Sequence, residues 1–401
     1  MSVRAAITGM GIVSGAGAGV ERFRCAVEAG ERGDRPLPHV AGPSLFPPVG
    51  AVVPDEGVWL GGRRDRALRL AAAAMSEALG QARLSPGALP PGSALVVGTT
   101  LGGAVQARRA HADLLAGRMP RASDVGQSPL HAMADYLGDR FGVDGPRTVV
   151  SNACVSSTIA LGMALDLIRG GEAELVIAGG ADSLHSFNYT GFASLKMLGR
   201  GLCVPFDRAG GGGMMLGEAA AFLVVESEEA ARRRGVEVLA ELAGYGTTCD
   251  AQHPTRPRAD GASLTRAVEA ALRDASLSSD DLGFVALHGV GLDRVDAAEA
   301  AGLQSAFSAR RSELPAASLR PVTGHTLGSA GAVDAIACVL AVQHGVVPPT
   351  GGPATSGETA LPPPARLRGA ALPVPVRAAL KVSSGFGGMN AALVVRRWEA
   401  A

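Results

Sequence analysis

Thr148-Val149-Val150-Ser151-Asn152-Ala153-Cys154-Val155-Ser156-Ser157-Thr158 joins two elements of different period. The apolar β-type run Arg147 to Val150 stops at small polar residues. A helical pattern, Ile159-Ala160-Leu161-Gly162-Met163-Ala164-Leu165-Asp166-Leu167-Ile168, follows at once. A thiol at such a strand-to-helix turn lies where helix-end N–H groups and the positive end of the dipole favour thiolate. The same N–H groups can hold the oxygen of a thioester carbonyl as it becomes tetrahedral. The alternative is a buried cysteine acting as a small hydrophobe. This segment alone leaves both readings open.

Composition narrows the classes. The 401 residues suffice for a large core in two lobes, and 47% apolar against 18% charged describes a well-buried globular chain. Lys+Arg and Asp+Glu balance at 37 each, with a pI near 7.1, which argues against a nucleic-acid binder and a basic membrane-surface domain. The 55 glycines, about twice the usual share, lie between apolar periodic segments and imply tight turns and close backbone approaches. Cys25, Cys154, Cys203, Cys249 and Cys338 are dispersed and form no CxxC pair. That pattern predicts reduced thiols in a cytoplasmic protein, with neither a disulfide framework nor a zinc site. The N-terminus turns to glycine before a signal-peptide core forms, and no uninterrupted apolar run approaches the ~18 residues a membrane span needs.

Along the chain, Val3 to Ile7 predicts a first strand and Thr8 to Ser14 a turn-rich segment whose glycines do not make GxGxxG. Residues 30–60 read as loop and short edge structure. Arg64 to Ala82 predicts a helix, with Leu68, Ala71, Ala72, Met75 and Leu79 at helical spacing. Arg63, Arg64, Arg66 and Arg69 at its start are either a solvated face or a docking patch for an acidic partner. Strands are predicted at 93–98, 174–180, 219–226 and 284–287, the last ending at His288. A charged helix at 227–235 bridges the halves, and another helix follows His325. The proline-rich segment 346–376 reads as surface loop, and 381–395 as the last turn and strand. Strand, reactive residue and Gly/Ser/Ala-rich helix recur in both halves, a weak internal duplication.

Cys154 at a helix start, His288 at a strand end, and His325 within Thr323-Gly324-His325-Thr326-Leu327-Gly328 form an uncommon combination. Here the sequence resembles the condensing β-ketoacyl synthases of fatty-acid and polyketide synthesis, over nearly its whole length. The resemblance rests on Ile7-Thr8-Gly9-Met10-Gly11, Asn152-Ala153-Cys154, Ala178-Gly179-Gly180-Ala181-Asp182, Val204-Pro205-Phe206-Asp207 and Asp250-Ala251-Gln252-His253. His288-Gly289, Gly324-His325 and Gly385-Phe386-Gly387-Gly388 complete it.

The resemblance implies an α/β, thiolase-like fold, a duplicated αβαβα five-layer sandwich. Its halves would be 1–235, carrying the nucleophilic cysteine, and 236–401, carrying the two histidines. Cys154 would accept an acyl chain from a carrier-protein thioester. The N–H groups of Cys154 and Phe386 would form the oxyanion hole, with Phe386 gating the acyl pocket. His288 and His325 would hold the carbonyl of a malonyl thioester, since neutral imidazole donors offset developing negative charge without protonating the nucleophile. Leu101 falls where the family sets pocket depth, and Thr255 in the extender site. Arg63, Arg64, Arg66, Arg118 and Arg121 match the surface that meets acyl carrier protein. A homodimer, or a heterodimer with a second ketosynthase-like subunit, is implied. No metal or resident cofactor is, because acyl groups arrive on phosphopantetheine.

The chain departs from the family pattern at the extender side. Arg320 replaces a Lys and Asp334 a Glu in a supporting ion pair, and the bidentate, permanently charged guanidinium makes that exchange non-neutral. His-Gly-Thr-x-Thr becomes His288-Gly289-Val290-Gly291-Leu292, so two substrate-facing hydroxyls are lost, each worth ~1 kcal/mol of binding. Asp296 and Glu299 keep their places. Ala209 to Gly213 replaces the usual loop beside the acyl pocket, and the added glycines predict greater mobility there. Three readings follow: a decarboxylative synthase, a non-decarboxylating acyltransferase or cyclase using Cys154, and a partner subunit like the chain-length factors. Retention of Cys154, His288 and His325 argues against the third. His253 is a candidate for a supporting role, and Asp182, Asp207 and Glu218 for structural ones.

Overall fold

The computed structural model describes residues 3–37, 48–54, 65–199, 203–206, 213–307, 314–351, 365–366 and 369–399. Five strands of the first half are β1 (Ala5–Ser14), β2 (Ala94–Gly98), β3 (Arg147–Val150), β4 (Leu175–Asp182) and β5 (Ala219–Ser227). Five of the second are β6 (Ala240–Cys249), β7 (Leu282–Ala286), β8 (Pro315–Ala317), β9 (Ala378–Gly385) and β10 (Met389–Arg396). Across the sheet the first set runs β3-β2-β4-β5-β1 and the second β8-β7-β9-β10-β6. Numbered within its own half, each reads 3-2-4-5-1, with the same parallel and antiparallel neighbours. The duplication glimpsed in the sequence is therefore a topological repeat. The halves join where β1 meets β6 antiparallel, Ala5 opposite Leu242 and Ile7 opposite Ala240.

Helices complete the sandwich. α1 (Arg66–Gln81) covers the outer face of the first half. α2 (Ser156–Arg169) and the later helix α5 (Ala330–His344) fill the middle layer, packed among strands of both halves. α3 (Ala262–Asp274) and α4 (Asp293–Phe307) cover the outer face of the second half. Every residue of β1, β4 and β5 is buried, as strands covered on both faces must be. The stretch Leu327–His344 has a mean hydropathy of 1.4 over 18 residues, long and apolar enough on average to span a bilayer, yet 89% of it is buried in this middle layer.

The predicted turn at Thr8–Ser14 is strand instead. Its glycines serve close packing: a Cβ on Gly9 would lie 2.2 Å from the Ala78 oxygen, and one on Gly11 2.1 Å from that of Ala74. α1 thus lies directly on the strand backbone, and its Gln81 and Glu77 accept hydrogen bonds from the Met10 and Ile12 N–H groups.

α2 and α5 make a similar approach. A Cβ on Gly331 would sit 2.1 Å from Thr158 Oγ1, whereas one on Gly80 in α1 meets nothing within 4 Å. Gly331→Ala is expected to lower stability by ~1–3 kcal/mol through overpacking. Gly80→Ala should raise it by up to ~1 kcal/mol through helix propensity. Denaturant midpoints of the two variants, moving in opposite directions, check this.

Candidate active site

Both halves enter their middle-layer helix through a 3-10 turn, Ala153–Val155 before α2 and Leu327–Ser329 before α5. Each turn holds one non-glycine residue in the left-handed region, Ala153 at φ 48° and Leu327 at φ 55°, a strained geometry that clusters at functional sites. The pseudo-repeat therefore brings Cys154 and the His325 loop together at the helix starts. Cys154 Sγ lies 2.9 Å from His325 Nε2. The His288 ring stands edge-on to that of His325, centroids 5.3 Å apart at 87°. All three residues are buried.

Burial dominates the electrostatics. It pushes the Cys154 thiol up to about 12, against the pull of Arg320 and of the Cys154 and Phe386 N–H groups. The expectation that the helix end favours thiolate is thus outweighed by desolvation, and the resting group is a thiol hydrogen-bonded to an imidazole. Burial likewise pulls His288 and His325 well below the usual imidazole range, helped by the cations Arg320 and Lys381. Both rings are neutral at physiological pH.

Acidic side chains shape the loops that carry these groups. Glu299 accepts from the His288 and Gly289 N–H groups at 2.7 and 2.8 Å, and burial pushes it up to about 7. Asp296 accepts from Phe206, Val290 and Gly291 N–H, and burial lifts it to about 6. Asp182 takes Thr100 and Leu101 N–H from one half and Gly328 N–H from the other, tying the two together beside the site. Among the residues assigned structural roles, Glu218 pairs with Arg66, while Asp207 lies outside the described residues, as do residues 209–212 of the glycine loop.

Phe386 sits on a turn whose Gly387 and Gly388 have φ of 83° and 75°. The turn is clamped by 249–255: Gly387 N–H donates to Pro254 O, Asp250 N–H to Gly388 O, and Cys249 Sγ to Gly387 O. His253 Nδ1 accepts from Thr255 and Arg256 N–H, so it caps the segment presenting Thr255. The Phe386 ring stacks on Phe192 at 5.7 Å and borders two spaces. One, about 450 Å³, holds Cys154, His288, His325, Thr255, Val290 and Leu292. The other is an open groove past Leu101, lined also by Phe187 and Leu195. Phe386 thus stands between Cys154 and the groove.

Arg320 and Asp334 form a fully buried ion pair, and Arg320 Nε donates to His288 O at 3.1 Å. The docking set divides. Arg63 and Arg64 lie outside the described residues. Arg66 is corrected: its guanidinium turns inward to Glu218, buried and 2.7 Å away, and to Val53 O, so it braces the fold. Arg118, paired with Asp113, and Arg121 lie on the surface after the helix Ala104–Leu115. The sequence reading missed Lys381, buried behind the histidines and 2.7 Å from Asp334. Its signal was a lone lysine inside the apolar strand Ala378-Ala379-Leu380-Lys381-Val382. Among the described residues no group of three or more His, Cys, Asp or Glu is arranged to hold a metal ion.

Comparison with known proteins agrees with this fold. The family "Beta-ketoacyl synthase, N-terminal domain" matches residues 3–231, and "Beta-ketoacyl synthase, C-terminal domain" matches 239–352. The tetracenomycin polyketide synthase ketoacyl synthase alpha subunit of Streptomyces glaucescens is 32% identical, covering 98% of this chain and 97% of its own. The structure of the ishigamide ketosynthase/chain length factor superposes with a TM-score of 0.91 at 30% identity, over 100% of both chains. A β-ketoacyl synthase from Burkholderia phymatum gives 0.89 at 28% identity, over 99% of this chain and 100% of the other. The Cys154 turn and the two imidazoles thus sit in a repeated 3-2-4-5-1 sheet, and the chain belongs to the β-ketoacyl synthase family of acyl-transferring condensing enzymes.

Proposed function

We propose that the chain is a catalytically active condensing enzyme of polyketide biosynthesis, taking an acyl group from a carrier-protein thioester and extending it with a malonyl-type unit. The observation that carries this reading is the 2.9 Å contact between Cys154 Sγ and His325 Nε2, beside a second neutral imidazole. His325 draws the thiol proton as sulfur attacks the thioester carbonyl. The oxyanion faces the Cys154 and Phe386 N–H groups, and collapse expels the pantetheine thiolate, which takes the proton. A malonyl thioester then places its carbonyl against His288 and His325. The bond to its carboxylate breaks, carbon dioxide leaves, and the electron pair forms an enolate held by the imidazole N–H groups. The enolate carbon attacks the acyl carbonyl and Cys154 leaves as thiolate, which takes a proton from solvent to restore the resting thiol. The chemistry needs no metal or resident cofactor, and the reading places the protein in the cytoplasm.

Arg118 and Arg121 are the docking residues for an acidic carrier protein, with Arg63 and Arg64. Phe187 and Leu195, 58% and 49% exposed beside the groove, offer apolar surface to a second ketosynthase-like subunit, as the name of the ishigamide ketosynthase/chain length factor suggests for that protein. Val290 and Leu292 favour one competing reading, acyl transfer without decarboxylation, because they line the chamber where the family carries hydroxyls.

The test supplies the purified protein with acyl-loaded and malonyl-loaded carrier protein and follows gas and product together. One carbon dioxide per condensation product is expected. Acyl transfer without carbon dioxide supports the non-decarboxylating reading. Activity found only with a second subunit, and unchanged by Cys154→Ala, supports the partner role.

A further inference from the structure

We propose that Lys381 is a positioning residue for the two imidazoles: it shares the Asp334 carboxylate with Arg320 and supplies a second buried positive charge behind His288 and His325. Its Nζ lies 2.7 Å from Asp334 Oδ2, the same oxygen that Arg320 Nη2 contacts, and it also donates to Val382 O. Arg320, so held, donates from Nε to His288 O at 3.1 Å. All three side chains of the triad have no exposed surface.

Stability does not account for the lysine. One carboxylate already neutralises Arg320, and a second buried cation adds desolvation cost without a second anion to offset it. Glu299, a further carboxyl that acts on Lys381, is already engaged by the His288 and Gly289 N–H groups, and burial pushes it up to about 7. The chain also has only two lysines, Lys196 and Lys381, among its 37 basic residues. Lysine is therefore nowhere the default cation of this sequence, and one of its two uses is a fully buried point charge at the active site. A compact ammonium fits that role where the planar fork of arginine does not.

The charged and titratable groups around the imidazoles are Cys154 on its 3-10 turn, Arg320 before the His325 loop, Glu299 and Asp296 on α4, Asp334 and Cys338 on α5, Lys381 on β9 and Asp182 on β4. Both Lys381 and Arg320 depress His288 and His325, whereas Asp334 holds the cations in place. A neutral imidazole is what an enolate-stabilising donor must be, so the surplus positive charge keeps the donors ready and favours the negative charge that develops. This inference rests on the condensing reading only for what the donors stabilise.

The test uses the full-length protein with carbon-13 at histidine C2 and nitrogen-15 at lysine Nζ. In the wild type at pH 7, Lys381 should give an ammonium signal, readily assigned because only Lys196 shares the spectrum. A neutral amine overturns the proposal, and needs no variant to be seen. In Lys381→Met and Lys381→Gln, the titration midpoints of His288 and His325 should rise toward the ordinary imidazole value by about one pH unit. The acid limb of carbon dioxide release from malonyl carrier protein should move to higher pH with them, at unchanged KM. Midpoints that stay where they are in the wild type overturn the proposal. A midpoint shift in a protein that releases no carbon dioxide supports the placement of charge and counts against decarboxylation instead.

Discussion

Cys154→Ala is expected to abolish condensation, with a loss on the order of 10⁴-fold or more, while carbon dioxide release from malonyl carrier protein persists. The split follows from the geometry. The proposed acyl acceptor is the Cys154 sulfur, 2.9 Å from His325 Nε2 and beside the Cys154 and Phe386 N–H groups. Decarboxylation instead needs the two imidazole donors, which the substitution leaves in place. His325→Ala should lose both activities, because that ring serves the thiol and the enolate alike. Product formation and carbon dioxide release, measured side by side on the two variants, check the division of roles. Equal losses of both activities in Cys154→Ala would contradict it.

Asp334→Ala is expected to be among the most destabilising single changes, costing about 3–5 kcal/mol, because it leaves Arg320 and Lys381 buried without their shared anion. The cost exceeds that of an ordinary surface ion pair such as Arg118–Asp113, whose removal should cost no more than ~1 kcal/mol. Condensing activity should fall as well, since Arg320 then loses the contact that aims its Nε at His288 O. Denaturant unfolding of Asp334→Ala and Asp113→Ala, compared at the same pH, checks the ranking. A variant as stable as the wild type would mean that Arg320 and Lys381 do not depend on Asp334 as their buried counter-charge.

Much of this arrangement was legible in the sequence, for local reasons. The Cys154 turn, the strand ending at His288 and the glycine-flanked His325 each announce themselves within about ten residues, by a change of hydrophobic period or a run of small residues. The α/β alternation of the first half is local too, whereas β6 (Ala240–Cys249) and β8 (Pro315–Ala317), which complete the repeat, escaped the sequence reading. What the sequence concealed depends on partners far along the chain. Gly9 and Gly11 read as turn because nothing nearby shows that α1, more than sixty residues on, lies against them. Arg66 read as a docking residue because Glu218 sits 152 residues away. The thiolate expectation failed because helix-end stabilisation is visible locally whereas burial is not. Lys381 went unread since its meaning depends on Asp334, which approaches from a different layer. The helices Ala104–Leu115, Ala132–Phe141 and Ser186–Ser194, together with α3 and α4, also escaped the sequence reading.

The central claim is tested most directly by the mass of the protein after reaction with an acyl carrier-protein thioester, followed by peptide mapping. One acyl group is expected, on the peptide containing Cys154. Cys25 and Cys249, although exposed, and the buried Cys203 and Cys338 should remain unmodified. An acyl group on any of those four, or acyl transfer that continues in Cys154→Ala, would contradict the account.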